Sequence, residues 1–543
     1  MHILFYEVFM TQQACVITNL SLEFATHSLF NSFDFALFAG KKTALIGRNG
    51  QGKSLIMQIL HLQHQHSLHY SGQIHWQMPH AYLSQFSRLI YNNDTTIAQV
   101  LEIESLFKAI QRVESGKGSF KDYDDLEHHW HLPQLWEKQL TEANLPTDLN
   151  FKIHHLSEGQ KTKLALCHLL LKKDHFLLLD EPSNHLDADS RQWLINQIHQ
   201  HPSGLLIISH DRILLQEMDH IYALSDKGLQ HIEGNYSDYE DFIQTKIRAL
   251  DQKIDQHKRD IKSMQVQQHQ QILKMQKRSE QAKKLRLTGS QPKMVLNAKR
   301  SQAERSLANI QKQQNRQHIQ LKDDLSKYQS DREIIRAQQF QFQQHSIRDG
   351  EILRLKQVVL PFGVQTPIDF SLTANQKIHL HGQNGSGKST LMNLIRSLQQ
   401  QKDEYDSNQF FLNANIAYLE QNLNILDPQL NAVENLHHFN EDLTSTEWRT
   451  LLGQLRIRGD LSTLAVEKLS GGEKIKIILL GLSHAQSPFN LLLLDEPENH
   501  LDIDSRDILA SAIQKFKGAV ILVSHDQTFV DRCGIQEQFL ISS

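Results

Sequence analysis

A single set of sequence motifs occurs twice in this chain, about 335 residues apart. Five motifs recur in the same order and at similar spacing, so the chain contains two copies of one domain. The pairs are GRNGQGKS (47–54) and GQNGSGKST (382–390), AYLSQ (81–85) and AYLEQ (417–421), LSEGQK (156–161) and LSGGEK (469–474), LLLDEPSNHLD (177–187) and LLLDEPENHLD (492–502), and IISHD (207–211) and LVSHD (522–526). We therefore predict an N-terminal extension (1–15), a first domain (16–239), an intervening segment (240–345) and a second domain (346–543).

Each copy has the pattern of an α/β fold. The apolar runs at 43–47, 176–180 and 204–210 are continuous, as expected of parallel strands that are buried on both faces. Helical segments separate these runs. The sequence therefore predicts two wound parallel sheets, each binding its ligand at the carboxyl ends of the strands.

Both copies contain a phosphate-binding loop of the form G-x-x-x-x-G-K-[ST] between a strand and a helix. Glycines allow backbone N–H groups to approach a phosphate, the lysine meets its charge, and the hydroxyl group holds Mg²⁺. A glycine-rich turn without a ligand is the alternative, and the duplication argues against it. The predicted nucleotide-binding residues are Gly47, Arg48, Asn49, Gly50, Gln51, Gly52, Lys53 and Ser54, and Gly382, Gln383, Asn384, Gly385, Ser386, Gly387, Lys388, Ser389 and Thr390.

Acidic residues end the apolar strands that complete each site. Asp180 and Asp495 are placed to support the Mg²⁺ shell, directly or through water. The adjacent Glu181 and Glu496 are placed to orient and polarise the attacking water. In the alternative interpretation, these glutamates are ordinary acids at helix starts and do not affect turnover.

The whole motif set resembles the ATP-binding cassette family over roughly 430 of the 543 residues. The resemblance implies that Gln85 and Gln421 contact Mg²⁺ and the water, that His210 and His525 contact the γ-phosphate, and that Asp187 and Asp502 lie at the interface between cassettes. The implied cofactors are ATP and Mg²⁺, and the implied activity is ATP hydrolysis. The metal ligands would be Ser54, Gln85, Asp180, Ser389, Gln421 and Asp495.

The active form of this family is a head-to-tail sandwich, in which the signature motif of one cassette, here LSEGQK (156–161) or LSGGEK (469–474), closes over the nucleotide of the other. Because both cassettes lie on one chain, we expect an intramolecular sandwich and a monomer. Ser470, Gly471 and Gly472 would complete the first site, and Ser157, Glu158 and Gly159 the second.

Two departures from the family pattern concern the first cassette. Leu55 follows Ser54 where Thr390 follows Ser389, and we expect this change to have little effect. Glu158 replaces a signature glycine, and an acid so near the γ-phosphate leads us to hypothesise unequal hydrolysis at the two sites. Phe24 and Phe362 are candidates for stacking on adenine, with a plain core role as the alternative.

Composition excludes several other classes of protein. Three widely separated cysteines, Cys15, Cys167 and Cys533, favour neither a disulfide framework nor a cysteine-ligated metal site. No 18 apolar residues run together, and the N-terminus lacks the features of a signal peptide. We therefore expect a cytoplasmic protein without a stable membrane partner.

The segment between the copies is basic and helical. Residues 240–345 carry a net charge of +11, whereas the whole chain has a net charge of −4. The stretch 274–316 contains 12 basic residues and only two acidic ones. Apolar residues recur every three or four positions, which indicates a coiled-coil seam, and 287–292 is a turn signal. We predict an antiparallel hairpin with arms of about 40 residues, or about 60 Å. The seam residues are Ile243, Ile247, Leu250, Ile254, His257, Ile261 and Met264, then Leu307, Ile310, Leu321, Leu325 and Tyr328.

Two cassettes joined by a basic hairpin resemble the ABC-F family of ribosome-associated ATPases. Both NHLD motifs (184–187 and 499–502) and EGNYSDYE (233–240) agree with that family. The resemblance implies docking in the ribosomal tRNA exit site, with the tip near 285–300 approaching P-site tRNA, and release after hydrolysis. About 23 extra residues between Gln85 and Ser157 form either a small arm that touches ribosomal protein or an irregular loop.

Several alternatives remain at this point. The simplest interpretation of the linker is a solvated spacer. The excess of positive charge at its tip instead favours binding to the phosphate backbone of a nucleic acid. A transporter ATPase subunit, a DNA-repair ATPase and a non-catalytic module are weaker candidates. Within the ribosome interpretation, the polar tip of moderate length favours a translation factor over a protein that displaces an antibiotic.

Overall fold

The structure is a computed structural model. It describes residues 12–23, 28–62, 70–84, 94–127, 129–184, 186–225, 228–287, 312, 316–330, 332, 350–383, 385–400, 406, 408–420, 425–455, 457, 459–487, 489–499 and 501–541. The described part divides into a compact unit that contains both cassettes and a second unit at residues 238–337.

The first cassette is built on two sheets. Its main sheet has the order β5-β6-β7-β3-β8-β9, in which β9 pairs antiparallel with β8 and the other pairs are parallel. A smaller antiparallel sheet has the order β2-β1-β4. The strands are β1 (Gln13–Glu23), β2 (Ser28–Phe38), β3 (Lys42–Gly47), β4 (Tyr70–Trp76), β5 (His80–Leu83), β6 (Phe176–Asp180), β7 (Leu205–Ile208), β8 (His220–Ser225) and β9 (Gly228–Glu233).

The central strands have continuous apolar sequences because both of their faces are buried. Every residue of β6 and β7 is buried, as expected for strands covered on both faces. The α/β prediction is thereby confirmed. The helices of this cassette are α1 (Lys53–Leu62), α2 (Ile97–Val100), α3 (Glu104–Glu114), α4 (Phe120–Leu126), α5 (Leu132–Glu142), α6 (Glu158–Leu170), α7 (Ala188–Gln200) and α8 (Arg212–Gln216).

The intervening unit is helical wherever the structure describes it. Helix α9 (Tyr236–Leu287) forms the first arm, and residues 316–330 are helical as well. The Tyr328 ring stacks on His257 at 5.3 Å, the Lys253 ammonium lies 5.4 Å from the same ring, and Arg332 forms an ion pair with Asp251. Partner numbers fall as residue numbers rise, which is the pattern of antiparallel arms.

The predicted seam coincides with the less exposed face of α9. Ile254 is buried, and the six other predicted positions from Ile243 to Met264 are half-buried while most of their neighbours are exposed. Leu307, Ile310 and the predicted tip at 285–300 lie outside the described residues, apart from the backbone of 285–287 in α9.

The second cassette repeats the first. Its main sheet is parallel, in the order β14-β15-β16-β12-β17, and its antiparallel sheet has the order β11-β10-β13. The strands are β10 (Glu351–Val358), β11 (Ile368–Thr373), β12 (Lys377–His381), β13 (Phe410–Leu412), β14 (Ile416–Leu419), β15 (Leu491–Asp495), β16 (Ala519–Val523) and β17 (Glu537–Leu540). The helices are α10 (Lys388–Gln400), α11 (Ala432–Phe439), α12 (Ser445–Gln454), α13 (Gly471–Ser483), α14 (Ile503–Lys515) and α15 (Gln527–Arg532).

The extra residues of the first cassette form a pair of helices, α3 and α4, instead of an irregular loop. The helix that follows this pair, α5, corresponds to α12 of the second cassette, and each of the two contains a buried tryptophan, Trp136 or Trp448. Ser119 caps α4, and Arg112 of α3 pairs with Asp122 of α4. Phe120 in this pair is 93% exposed.

Two further facts concern the whole described chain. No described helix is both long enough and apolar enough to cross a membrane. Cys15, Cys167 and Cys533 are free thiols, and all of them are buried.

We expect Trp448→Ala to lower the free energy of unfolding by about 3–5 kcal/mol, because its fully buried indole fills the helical core of the second cassette. The control is Trp130→Ala, whose side chain is half exposed and should change stability by less than about 0.5 kcal/mol. Urea unfolding followed by circular dichroism measures both values. Equal shifts for the two variants would contradict this packing of Trp448.

Candidate functional site

The lysine of the first phosphate-binding loop forms hydrogen bonds to the backbone of the same loop. Lys53 Nζ donates to the carbonyl groups of Gly47 at 2.7 Å and Arg48 at 2.9 Å. The Gln51 side-chain oxygen accepts from the Arg48 amide at 2.8 Å. Gly50 has φ of +82°, which an L side chain rarely adopts, so the loop depends on glycine there.

The second loop repeats this geometry. Lys388 Nζ donates to the carbonyl groups of Gly382 at 2.9 Å and Gln383 at 3.1 Å. Gly385 has the same φ of +82°. Lys53 and Lys388 begin α1 and α10, so both loops lead into helix N-termini, which favour bound anions. Ser386, Ser389 and Thr390 lie in this second loop or its helix, and Asn384 lies outside the described residues.

The two strand-end acid pairs share an unusual backbone conformation. Asp180 and Asp495 are buried at the ends of β6 and β15. Glu181 and Glu496, which follow them, have φ of 49° and 46°, a left-handed conformation that is uncommon for residues other than glycine. Each glutamate amide donates to the next strand, to Ile208 or Val523, at 2.9 Å. Such strain clusters at functional sites because the surrounding structure must impose it.

Each predicted histidine lies against its predicted glutamate. His210 Nε2 is 3.4 Å from Glu181 Oε1, and His525 Nε2 is 3.2 Å from Glu496 Oε1. Burial, with Lys53 and Arg506 nearby, holds the pKa of His210 well below its usual value, so this ring is neutral at pH 7.

The two glutamates differ in their electrostatic surroundings. Burial raises the pKa of Glu181 to about 7, against the opposing charge of Lys53. Burial also acts on Glu496, but the hydrogen bond and charge of His525, with Asn499 and Lys388, outweigh it and bring the pKa of Glu496 below its usual value. At each site we expect a glutamate to orient water, and the two glutamates therefore differ in their pKa.

The first site is shared between the cassettes. A cavity of about 540 Å³ is lined by Lys53, Ser54, Asp180, Glu181 and His210 of the first cassette and by Ser470 and Gly471 of the second. Ser470 caps α13, so the N-terminus of that helix faces the cavity. A cavity of this size can hold a small ligand, and the helix end favours a negatively charged one.

The second site is also composite. A cavity of about 220 Å³ is lined by Glu496 and His525 of the second cassette and by Ser157, Glu158 and Gly159 of the first. Ser157 caps α6 as Ser470 caps α13. The Glu158 carboxylate forms an ion pair with Lys161 at 2.9 Å, which offsets the charge that distinguishes this signature from the other.

Charged contacts join the cassettes, and the motifs predict only the one that involves Asp502. Asp502, an expected interface acid, accepts from the Asn49 amide at 3.0 Å. Arg506 donates to the His210 carbonyl at 3.2 Å, and Arg212 donates to both oxygens of Asp507 at 2.8 Å. The repeated DSR triplets at 189–191 and 504–506 were the only sequence signal for the arginine at 506.

The other expected interface acid, Asp187, caps α7 through the Ser190 amide at 2.9 Å. Burial raises the pKa of Asp187, but the Ser190 hydrogen bonds, the charge of Lys163 and the charge of His525 in the other cassette outweigh it and bring this pKa below its usual value. Asp187 and Asp502 therefore both lie close to the opposite cassette.

Oxygen donors at both sites suit Mg²⁺. Ser54 and Asp180 line the first cavity together, and the Ser389 side chain hydrogen-bonds to Asp495 in the second cassette. A hydroxyl and a carboxylate are the hard ligands that Mg²⁺ prefers beside a nucleotide. The predicted glutamine ligands Gln85 and Gln421 lie outside the described residues.

The two adenine candidates have different outcomes. Phe24 lies outside the described residues. The Phe362 side chain is 75% exposed, so it is no core residue, and a Cβ on the next residue, Gly363, would lie 2.7 Å from the Gly387 amide nitrogen. The loop that carries Phe362 thus runs against the second phosphate-binding loop, and stacking of its ring on adenine stays a prediction.

Comparison with known proteins gives consistent matches. Residues 30–184 and 366–499 match the family model described as ABC transporter. Ribosome protection protein VmlR of Bacillus subtilis (strain 168) is 26% identical over 96% of this chain and 85% of its own length. ABC transporter F family member 5 of Arabidopsis thaliana is 28% identical over 90% and 70%. Energy-dependent translational throttle protein EttA of Haemophilus influenzae is 27% identical over 93% and 87%.

We expect Glu181→Gln and Glu496→Gln to leave unequal rates of ATP hydrolysis. Each change removes the group that polarises water at one site, an effect worth about 10²–10⁴-fold there, so the remaining rate reports the other site. Steady-state phosphate release from each purified variant measures the rates. Equal rates in the two variants would remove the support for unequal sites.

Arg212→Gln should weaken closure of the sandwich by about 1.5–3 kcal/mol, because it removes a charged hydrogen-bond pair between the cassettes. The expected result is a rise in the ATP concentration required for half-maximal hydrolysis. The matched control is Arg532→Gln, because Arg532 contacts the same Asp507 from within its own cassette at 2.7 Å. A larger effect from the control would contradict a role of Arg212 in closure.

Proposed function

Because this chain belongs to the ABC transporter family, and within it to the ABC-F branch, we propose that it hydrolyses ATP and acts on the ribosome as a translation factor. The observation that carries the catalytic part is the cavity that Lys53, Asp180 and Glu181 share with Ser470 of the opposite cassette. A site completed only by the other cassette makes hydrolysis depend on closure. Closure can therefore be coupled to the state of a bound partner.

The chain's own residues supply the steps of hydrolysis. Lys53 binds the β- and γ-phosphates, and the N-terminus of α13 faces the γ-phosphate from the opposite side. Glu181 orients and polarises the attacking water, while the neutral His210 ring contacts the γ-phosphate. Lys388, Glu496, His525 and the N-terminus of α6 perform the same roles at the second site.

Mg²⁺ belongs to this proposal as the ion that neutralises phosphate charge when nucleotide binds. Ser54 and Asp180 would hold it at the first site, and Ser389 and Asp495 at the second. Gln85 and Gln421 are the further proposed ligands, as the family resemblance implies.

The linker provides the argument for the ribosome. Its net charge of +11 suits the phosphate backbone of RNA, to which lysine and arginine bind with release of counterions. EttA is named as a translational throttle protein and VmlR as a ribosome protection protein, and both are similar to nearly all of this chain. We propose that the linker binds rRNA and approaches P-site tRNA while the chain, as a monomer in the cytoplasm, has ATP in both sites.

The helix pair α3–α4 is proposed as a second contact with the ribosome. Phe120 and Tyr123 of this pair are 93% and 51% exposed, and large apolar side chains left in water often mark binding surfaces. A ribosomal protein is the partner that the family resemblance suggests.

Protection of the ribosome from an antibiotic is the second candidate function. The specific observation in its favour is the 26% identity to VmlR over 96% of this chain. Growth in the presence of antibiotics that bind the peptidyl-transferase centre, with and without overexpression of this protein, distinguishes the two. A raised inhibitory concentration supports protection, and an unchanged one supports the translation factor.

The Glu181→Gln/Glu496→Gln double variant should sediment with ribosomes when ATP is present, because it binds nucleotide and closes without hydrolysis. Sucrose-cushion centrifugation with ATP and with ADP measures this. The ribosome proposal is wrong if the ATP-loaded variant stays in the supernatant.

A charge change in the linker tests the source of that affinity. Replacing Lys283, Lys284 and Arg286 with glutamine should weaken sedimentation with ribosomes. The slope of the logarithm of the binding constant against the logarithm of the salt concentration should become less steep by about 0.7–0.9 for each phosphate that the linker no longer neutralises. The control replaces Lys258, Arg259 and Lys262 of α9, which lie outside the basic stretch at 274–316. The control should bind as the parent does.

A further inference from the structure

One position of the repeated LLLDEPxNHLD motif differs in chemistry between the cassettes. It is Ser183 in the first cassette and Glu498 in the second, within otherwise identical sequence. Glu498 is 3% exposed. Acidic side chains are almost never so buried unless they are paired, so this one requires an explanation.

Glu498 is bonded to the loop that carries the second histidine. Its Oε1 accepts a hydrogen bond from Ser524 Oγ, and Ser524 Oγ accepts in turn from the Asp526 amide at 3.0 Å. His525 lies between these two residues and is 3.2 Å from Glu496 Oε1. The carboxyl group thus supports both ends of the three-residue loop that positions the imidazole.

The first cassette builds the same support with a hydroxyl group. Ser183 Oγ lies 3.2 Å from Ser209 Oγ, which accepts from the Asp211 amide at 3.0 Å. Glutamate therefore stands where the first cassette has serine, within the same hydrogen-bond frame. The difference adds an ionisable group to the second site alone.

The surroundings of Glu498 favour its neutral form. Its Oε2 is buried and has no hydrogen-bond partner among the described residues. Arg506, the nearby cation, already donates to the His210 carbonyl at 3.2 Å and to Asp526 at 3.3 Å. Burial raises the pKa of Glu498 to about 7, despite the hydrogen bond from Ser524.

Glu498 also faces the cavity that Glu496 and His525 line. It lines the cavity of about 220 Å³ together with Glu496 and His525, and with Ser157 and Gly159 of the first cassette. A polar cavity of this size has room for water, so a neutral carboxyl group can donate its proton to a water molecule there.

We propose that Glu498 is a positioning residue of the second site, whose neutral carboxyl group holds Ser524, and through it the loop that carries His525, in the arrangement that supports hydrolysis. This inference rests on the proposed ATPase function. Loss of the proton creates a buried charge beside Asp526 and draws Arg506 from its two partners. Hydrolysis at the second site therefore slows as the pH rises, and the first site lacks this control.

The charged and titratable groups around Glu498 come from several elements. Arg506 of α14 lowers its pKa and Asp526 of the histidine loop raises it, while Cys533 after α15 interacts with it electrostatically. Across the cavity lie Glu496, His525, Glu158, Arg191 and Asp211. Arg191 is paired with Asp211 at 2.5 Å, so it is already neutralised.

The test isolates the second site with Glu181→Gln, which also removes the other glutamate whose pKa is near 7. We expect kcat for ATP to fall by up to about tenfold from pH 6 to pH 8, following the neutral fraction of a group with a pKa of about 7, with little change in KM. Adding Glu498→Gln, which is neutral at every pH, should remove the fall. Glu498→Ser, the residue of the first cassette, should do the same and serves if the glutamine variant does not fold.

The matched control is Glu441→Gln, which changes an exposed acid of the same cassette and should leave the pH profile as it was. Thermal unfolding gives a second readout. A raised folded-state pKa means stability that is present at low pH and lost as the pH rises through about 7, so Glu498→Gln should reduce the drop in Tm between pH 6 and pH 8. Superimposable kcat profiles with and without Glu498→Gln would overturn the inference. Absence of hydrolysis in the unmodified protein would overturn the proposed function instead.

Discussion

Each strand-end glutamate, together with its histidine, faces the first turn of a helix that belongs to the opposite cassette. Glu181 and His210 share a cavity with Ser470, and Glu496 and His525 share another with Ser157. The N-terminus of a helix carries partial positive charge, which contributes to a site only if the helix is brought close and water is excluded. The remaining features of the interface, from the Asp502 contact to the arginine pairs, follow from this need for close approach.

The same approach concentrates buried charge at the interface between the cassettes. Lys53, Asp180, Glu181 and Asp502 lie near one another, and burial lowers the pKa of Lys53 while these carboxylates oppose that change. Arg506 contributes a further cation that reaches the backbone of the first histidine loop and Asp526 of the second. One guanidinium group thus contacts the histidine loops of both sites, which gives a physical route by which each site can affect the other.

Sequence reasoning succeeded where short-range pattern determines structure. The apolar runs became β6 and β7, and the three-and-four spacing identified the less exposed face of α9. It failed where contacts join distant segments, because nothing in the motifs links Arg212 to Asp507. The helical form of 104–126 and the exposure of Phe362 were also undecided, because both depend on the surrounding packing and not on local preference.

The Arg212–Asp507 ion pair has no equivalent ion pair at the corresponding positions of the repeat. Its counterparts in the repeat are Gln527 and Gln192, which carry no charge. In a dimer of identical subunits, two-fold symmetry forms every contact twice, so neither half of the interface can change alone. Fusion of the two cassettes into one chain removes that restriction. Fusion thus allows the two halves of the interface to be held together by different charged contacts.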